Sequence, residues 1–281
     1  MNRRFGVVGG DGRQAALVRL LEEQGDRVWA FGLSGWDVEE TPLAQVMEAP
    51  VILLPVPLRG KDGLLNSRKA LSTAEALSLA RPEQLLLAGK IPEKERALAA
   101  QRKLTLLDLL DREKLAEANA IPTAEGAIQL AMEQLPVTLW GTEALVVGFG
   151  RIGKRLAWDL LGLGTHVTVA ARKPSDRAMA EALGCRTLDT ADFPGKLDGF
   201  RVLFNTVPAL LIPGEALREL PGNCLCIELA SRPGFDQSAA ETLGLSVVRA
   251  GGLPGKVAPE TAARAILTTA EQMILEWRNQ T

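Results

Sequence analysis

The chain contains no tyrosine and a single histidine, His166, among 281 residues. Acid–base chemistry therefore falls to Lys, Asp or Glu, because His166 opens the strand-like run "THVTVAAR" and reads as a strand residue rather than a general base. Cysteine is equally sparse. Cys185, Cys224 and Cys226 form an odd set, which argues against a disulfide framework and makes the cytoplasm the default compartment. "NCLCIEL" has no second cysteine pair or histidine cluster to complete a tetrahedral centre, so its thiols read as core and no metal is expected. The formal net charge is −2, with both signs interspersed. That leaves no basic field for nucleic acid and no polybasic arm for a membrane. No apolar run approaches the roughly 20 residues a membrane span needs, and "MNRRFGVVGG" enters a strand at once, so no signal peptide is expected.

What the chain does have is alternation. Short aliphatic runs exchange with longer amphipathic stretches, which signals βαβ units and parallel sheets. Strands are expected at "RFGVVG", "RVWAFG", "VILLPV", "QLLLAG" and "TLLDLL", and again at "EALVVG", "HVTVAA", "RVLFNTV", "NCLCIEL" and "LSVVRAG". Between the two series, residues 112–138 are helical in composition but interrupted by "NAIPTAEG". The proline predicts an extended Ile121, with Thr123 capping a helix that begins "AEGAIQLAMEQL". A final helix, "APETAARAILTTAEQMILEW", is expected to return to the first domain. The fold class expected is α/β, with two Rossmann-like doubly wound parallel-sheet lobes facing a cleft. Residues 1–118 would form a substrate or partner lobe, 119–257 a linker helix plus an NADP-binding domain, and 258–281 the returning helix.

Two glycine turns compete for a nucleotide. "EALVVGFGRIGKRLA" supplies a strand, a complete G-x-G-x-x-G over Gly148, Phe149, Gly150, Arg151, Ile152 and Gly153, and then a helix. Gly148 suits the tight turn, Gly150 lets backbone approach a pyrophosphate, and Gly153 lets helix and strand pack closely. The helix N-terminus then receives the phosphates. The next strand ends "VAARKPSDR". Where an NAD-selective site carries an acid about 20 residues on, this chain has Arg172 and Lys173, with Ser175 and Arg177 nearby, which favours NADP over NAD. At later strand ends, Asn205, Thr206, Val207 and Pro208, with Ala230 and Ser231, are expected to line the cofactor. The N-terminal turn, "VVGGDGRQAA", also fits G-x-G-x-x-A, but its second strand ends in no ribose reader, and Asp11 would repel a pyrophosphate. A smaller anion is expected there, beside Arg13. Further candidates are Arg59, Lys61, Asp62 and Lys90 at strand ends of the first lobe. Thr123 and Glu125 stand on the linker, and Lys256 is expected on a glycine-rich loop, "AGGLPGKVAP".

"GGDGRQ", "NAIPTAEGAI", "GFGRIGK", "LASRPG" and above all "GLPGKVAPETA" resemble the A subunits of bacterial dipicolinate synthase, in that family's order and over nearly the whole chain. The single glycine of "SRPGFD" departs from the expected pair. The resemblance implies an NAD(P)-dependent dehydrogenase that works with a flavoprotein-like B subunit. It would make dipicolinate from dihydrodipicolinate, itself formed from 4-hydroxytetrahydrodipicolinate on a branch of lysine biosynthesis, in the mother-cell cytoplasm of a spore-forming bacterium. A homodimer is a further expectation. The substrate is a planar dicarboxylate, which suits a set of cations and helix N-termini. Lys256 and Arg13 would anchor its carboxylates while Asp11, Asp62 or Glu125 accepts a proton. Two alternatives stand beside this reading. One is a non-catalytic NADP(H)-binding subunit of the same complex. The other is a shikimate-dehydrogenase-like enzyme, for which "LRGKDG" offers Lys61 beside Asp62 but no upstream serine pair.

Overall fold

The computed structural model describes residues 3–60, 62–193 and 195–280. Residues up to Asn119, together with Ala258 onward, form one compact unit, and Ala120–Val257 form a second. The first unit runs β1 (Arg4–Val8), α1 (Gly12–Glu23), β2 (Arg27–Phe31), α2 (Leu43–Val46), β3 (Val51–Leu53), α3 (Thr73–Ser78), β4 (Leu85–Ala88), α4 (Glu93–Gln101) and β5 (Thr105–Asp108). A 3₁₀ turn (Leu109–Asp111) then leads into α5 (Glu113–Gln134), within which the boundary between units falls. The second unit continues with β6 (Glu143–Val147), α6 (Arg151–Gly162), β7 (His166–Ala170), α7 (Pro174–Ala182), β8 (Arg186–Leu188), β9 (Val202–Asn205), α8 (Gly214–Leu217), β10 (Leu225–Glu228), α9 (Gln237–Thr242), β11 (Ser246–Arg249) and α10 (Leu253–Val257). The last helix, α11 (Pro259–Arg278), belongs to the first unit. Among the described residues no helix is long and apolar enough to cross a membrane.

Both sheets are parallel throughout, as the alternation predicts. The first has order β2-β1-β3-β4-β5 and the second β11-β10-β9-β6-β7-β8. Counted from β6, the second order is the 3-2-1-4-5-6 arrangement of dinucleotide-binding sheets, and it reverses between β6 and β9. Ligands of such sheets gather at that reversal, outside the carboxyl ends of the strands.

Period-two alternation gives each sheet two apolar faces. In the first unit Phe5, Val7, Leu53 and Leu87 face α1 and α11, while Val8, Ile52, Leu54 and Leu86 face the opposite helical layer. Ala263, Ile266, Leu267, Ala270, Met273 and Ile274 give α11 one buried stripe at helical spacing, packed along α1. In the second unit Val146, Phe204 and Ile227 face α5 and α6, and Leu145, Leu203 and Cys226 face the other way. Cys224 and Cys226 are free and buried.

Three local expectations need correction. Ile121 is helical rather than extended, and Thr123 lies inside the helix rather than at an N-terminus, because α5 runs unbroken through Pro122. Proline removes one backbone donor and crowds the preceding turn, but the alanine-rich flanks favour helix. Ala124, Ala127 and Ala131 also bury against the second core. Lys256 sits on a short helix, α10, rather than on a loop. Residues 186–188 add an edge strand that the sequence reading did not anticipate.

Candidate nucleotide-binding site

The turn after β6 is built for close approach. Gly148 has a φ of 96°, a conformation that side-chain-bearing residues rarely adopt, and a Cβ there would collide with Thr206 Oγ1. A Cβ on Gly153 would overlap the carbonyl oxygen of Gly148, so α6 can dock on the turn only because that position is bare. Gly150 differs from both, since a Cβ there would meet nothing within 4 Å. It is the N-cap of α6 and provides no side-chain cap, so the space a side chain would fill at the start of α6 is open. A backbone cradle with a helix dipole behind it suits a pyrophosphate. Phe149 is buried, with Lys154 Nζ 5.7 Å from its ring centroid, while Arg151 is exposed and Ile152 half-buried.

At the end of β7, Arg172 and Lys173 are exposed, and neither side chain has a partner among the described residues. Arg177, by contrast, is committed within the fold. It pairs with Asp189 at 2.7 Å and donates to the carbonyls of Ala171 and Arg172.

The β9 and β10 ends depart from expectation. Asn205 is fully buried and its side chain is engaged within the fold. Its amide nitrogen donates to Glu228 Oε1 at 2.7 Å and to Val207 O at 2.9 Å, and its oxygen accepts from Val207 N at 3.2 Å. Thr206 Oγ1 donates to Val147 O at 2.9 Å, which ties β9 to the β6 end. Val207 and Ala230 are half-buried, and Pro208 and Ser231 are exposed. The organising group is Glu228, only 3% exposed, which the sequence reading missed. Its carboxylate also accepts from the amides of Ala230 at 3.0 Å and Gly234 at 2.6 Å, so three N–H donors offset its desolvation. The one signal for it was a charge closing the otherwise apolar "CIEL". Gly234 is the lone glycine of "SRPGFD", and a Cβ there would collide with Asn205 Nδ2.

Two family-like motifs meet inside this unit. A Cβ on Gly126 of "IPTAEGAI" would stand 3.1 Å from Leu253 Cβ and 3.2 Å from Val257 Cγ1 of "GLPGKVAP". Exposed Glu125 and exposed Lys256 therefore sit on two helices in direct contact, α5 and α10. Thr123 is half-buried within α5.

The N-terminal turn is closed on itself. Gly9 N donates to Phe31 O at 2.7 Å and Gly10 N to Asn66 O at 2.6 Å. Asp11 caps α1 in a capping box with Gln14, whose side chain lies over Gly10. The Arg13 guanidinium, from a residue only 4% exposed, grips the same Asp11 carboxylate at 2.9 and 2.7 Å. The anion beside Arg13 is here the Asp11 carboxylate itself, so the expected substrate anchor and an expected proton acceptor are paired with each other. Arg59 is paired with buried Glu95. Asp62 is exposed, with Oδ1 accepting from Leu64 N at 3.1 Å, and Lys61 lies outside the described residues. Lys90 is exposed in the left-handed region at φ 54°. Buried Asp108 holds that bend, accepting from Lys90 N at 3.0 Å, Ile91 N at 2.7 Å and the Arg96 guanidinium at 3.1 Å.

Two doubly wound parallel units, the second in dinucleotide-binding order with an open glycine turn at its reversal, define the fold of two-lobed dehydrogenases. The apo-structure of Escherichia coli D-lactate dehydrogenase shares it, with a TM-score of 0.65 over 99% of this chain and 98% of that one, at 14% identity. Residues 4–110 match the family model for the N-terminal domain of the A subunit of dipicolinate synthase. The A subunit of Bacillus subtilis dipicolinate synthase is 28% identical over 97% of this chain and 96% of its own length. The crystal structure of the Bacillus halodurans counterpart superposes with a TM-score of 0.85 at 28% identity, covering 96% of this chain and 97% of that one. The resemblance to the A subunits of dipicolinate synthase, first visible in the motifs, holds over the whole chain.

Proposed function

We propose that this protein is an NADP-dependent oxidoreductase that oxidises dihydrodipicolinate to dipicolinate, acting with a flavoprotein-like B subunit in a spore-forming bacterium. The observation that carries the reading is the open cradle beside Gly150, under an α6 N-terminus that no side chain caps. Its contrast with the self-closed turn at Asp11 supports reading the second unit as the nucleotide-binding one. Exposed, unpaired Arg172 and Lys173 favour a cofactor with a 2′-phosphate, since a free ribose hydroxyl would find no acceptor in them.

The nicotinamide supplies a hydride acceptor. The overall change is dihydrodipicolinate plus NADP⁺ giving dipicolinate, NADPH and a proton. The chain's own residues bind, orient and take up that proton. Lys256 on α10 anchors a substrate carboxylate, and Glu125 on the adjoining α5 accepts the proton. The ring becomes aromatic, so an ordinary carboxylate is basic enough for the task. Lys90, Arg59 and Asp62 are left as groups of the first unit for a substrate or for the B subunit.

The test mixes the chain with enzymatically generated dihydrodipicolinate precursor and NADP⁺ or NAD⁺, with and without the B subunit. Dipicolinate is followed by ultraviolet absorbance and nicotinamide reduction is followed separately. The proposal expects both signals to rise together, faster with NADP⁺; dipicolinate formed without nicotinamide reduction would refute it. The pairing of Asp11 with Arg13 favours a second reading, a nucleotide-binding subunit with no turnover of its own. That version expects NADP⁺ binding without turnover, and full activity of the complex in Lys256→Ala and Glu125→Gln.

A further inference from the structure

We infer that Arg177, buttressed by Asp189, is a positioning residue that sets selectivity for a 2′-phosphorylated dinucleotide by fixing the backbone that carries Arg172 and Lys173. The inference rests on the NADP reading above. By sequence, Arg177 is one more cation beside the phosphate reader. In the structure its charge is already spent. Arg177 Nη1 donates to Ala171 O at 2.8 Å, to Arg172 O at 3.0 Å and to Asp189 Oδ2 at 2.7 Å. The same short segment is held from its other side, where Ala171 N donates to Leu188 O at 3.0 Å. Residues 171 and 172 are therefore clamped between the start of α7 and the end of β8, with exposed Arg172 inside the clamped stretch and exposed Lys173 directly after it.

Asp189 is suited to its part. Oδ1 accepts from Ala191 N at 3.0 Å, and that amide, with Arg177 and Lys196 nearby, holds the carboxyl below the usual carboxylate range. It therefore stays charged at neutral pH and offsets the Arg177 guanidinium, which would otherwise add a third positive charge behind Arg172 and Lys173. All three contacts converge on Nη1, one bond farther along the side chain than a lysine Nζ, so a lysine at this position falls short of them. The clamp bears on the 2′-phosphate alone, because an unphosphorylated ribose makes no ion pair with this loop.

The experiment measures equilibrium binding of NADP⁺ and of NAD⁺ to the full chain by titration calorimetry, for the wild type, Arg177→Ala, Arg177→Lys, Arg172→Ala and Arg177→Ala/Arg172→Ala. Arg177→Ala is expected to weaken NADP⁺ by about tenfold or more, the scale of one charge-assisted contact, with NAD⁺ unchanged within about twofold. Arg177→Lys should restore little of the loss. In the double variant the two NADP⁺ losses should be markedly less than additive, since both act through one contact. Equal weakening of both nucleotides, or an unchanged NADP⁺-to-NAD⁺ ratio, overturns the inference. If Arg177→Ala does not fold, Arg177→Met, which keeps the side-chain bulk without its donors, replaces it and must shift the ratio in the same direction. A wild type without NADP⁺ preference refutes the NADP reading itself, before any variant is compared.

Discussion

Removing the Glu228 carboxylate tests the architecture beside the nucleotide turn. Glu228 Oε1 accepts from Asn205 Nδ2 and Ala230 N, and Oε2 accepts from Gly234 N at 2.6 Å. In Glu228→Gln the amide oxygen can keep the first pair of bonds, but its nitrogen then faces the Gly234 amide, donor against donor. One hydrogen bond to a charged group is lost and one buried N–H is left unmet, a cost of about 2–3 kcal/mol. Glu228→Ala strands all three donors, two of them on the buried residues Asn205 and Gly234. Its cost should be about 4 kcal/mol. Chemical denaturation of each variant gives the total. Hydrogen exchange localises it, since the Ala230 and Gly234 amides should lose protection well before those of β1 or β4. A Glu228→Gln protein within about 0.5 kcal/mol of wild type, the range of an ordinary surface change, would refute the assignment of Glu228 as the organiser of that loop.

Other consequences follow from single groups. Lys90 holds a φ of 54° outside any helix end, whereas Lys103, at φ 55°, follows α4 and donates to Ala100 O as ordinary helix termination. Lys90→Gly should therefore stabilise the chain by about 0.5–1 kcal/mol in denaturant melts, strain relief exceeding the added unfolded-state freedom; destabilisation would show the bend to be unstrained. Glu219 accepts from Gly195 N at 2.8 Å, Lys196 N at 3.2 Å and Leu197 N at 3.3 Å, and the Gly195 amide foremost lowers its pKa. A folded-state pKa below the unfolded value means stability that is present above the ordinary glutamate range, about 4.3, and lost as pH falls through the folded value. Glu219→Gln should flatten that part of the acid limb of the unfolding midpoint against pH, and an unchanged limb would contradict the assignment.

The parallel sheets were legible because fully buried strands read as unbroken aliphatic runs, and the glycine turn after β6 because Gly148 and Gly153 each answer a distinct steric demand while Gly150 leaves open space. The self-pairing of the N-terminal turn has a local signal. Asp11-Gly12-Arg13-Gln14 carries a capping-box spacing, an N-cap acid with Gln three residues on, which reads as self-satisfying as readily as it reads as awaiting a small anion. Asn205 and Glu228 were opaque because they meet across adjacent strands, 23 residues apart in sequence, and no periodicity reports such a pairing. Pro122 misled because a local breaking tendency of a few kcal/mol was weighed without the burial of Ala124, Ala127 and Ala131 that overrides it. Arg177 read only as a cation near Arg172 and Lys173 because sequence shows a charge but not the carboxylate already holding it.

The most direct measurement titrates NADP⁺ into Gly150→Ala. The backbone there, at φ −81° and ψ −164°, accepts alanine, and the added methyl meets no protein atom within 4 Å, so stability should change by less than about 1 kcal/mol. The methyl instead fills the space assigned to the pyrophosphate. NADP⁺ affinity is predicted to fall at least about tenfold in a protein whose melting is nearly that of wild type. Wild-type affinity in that variant would contradict the placement of the nucleotide at the α6 turn.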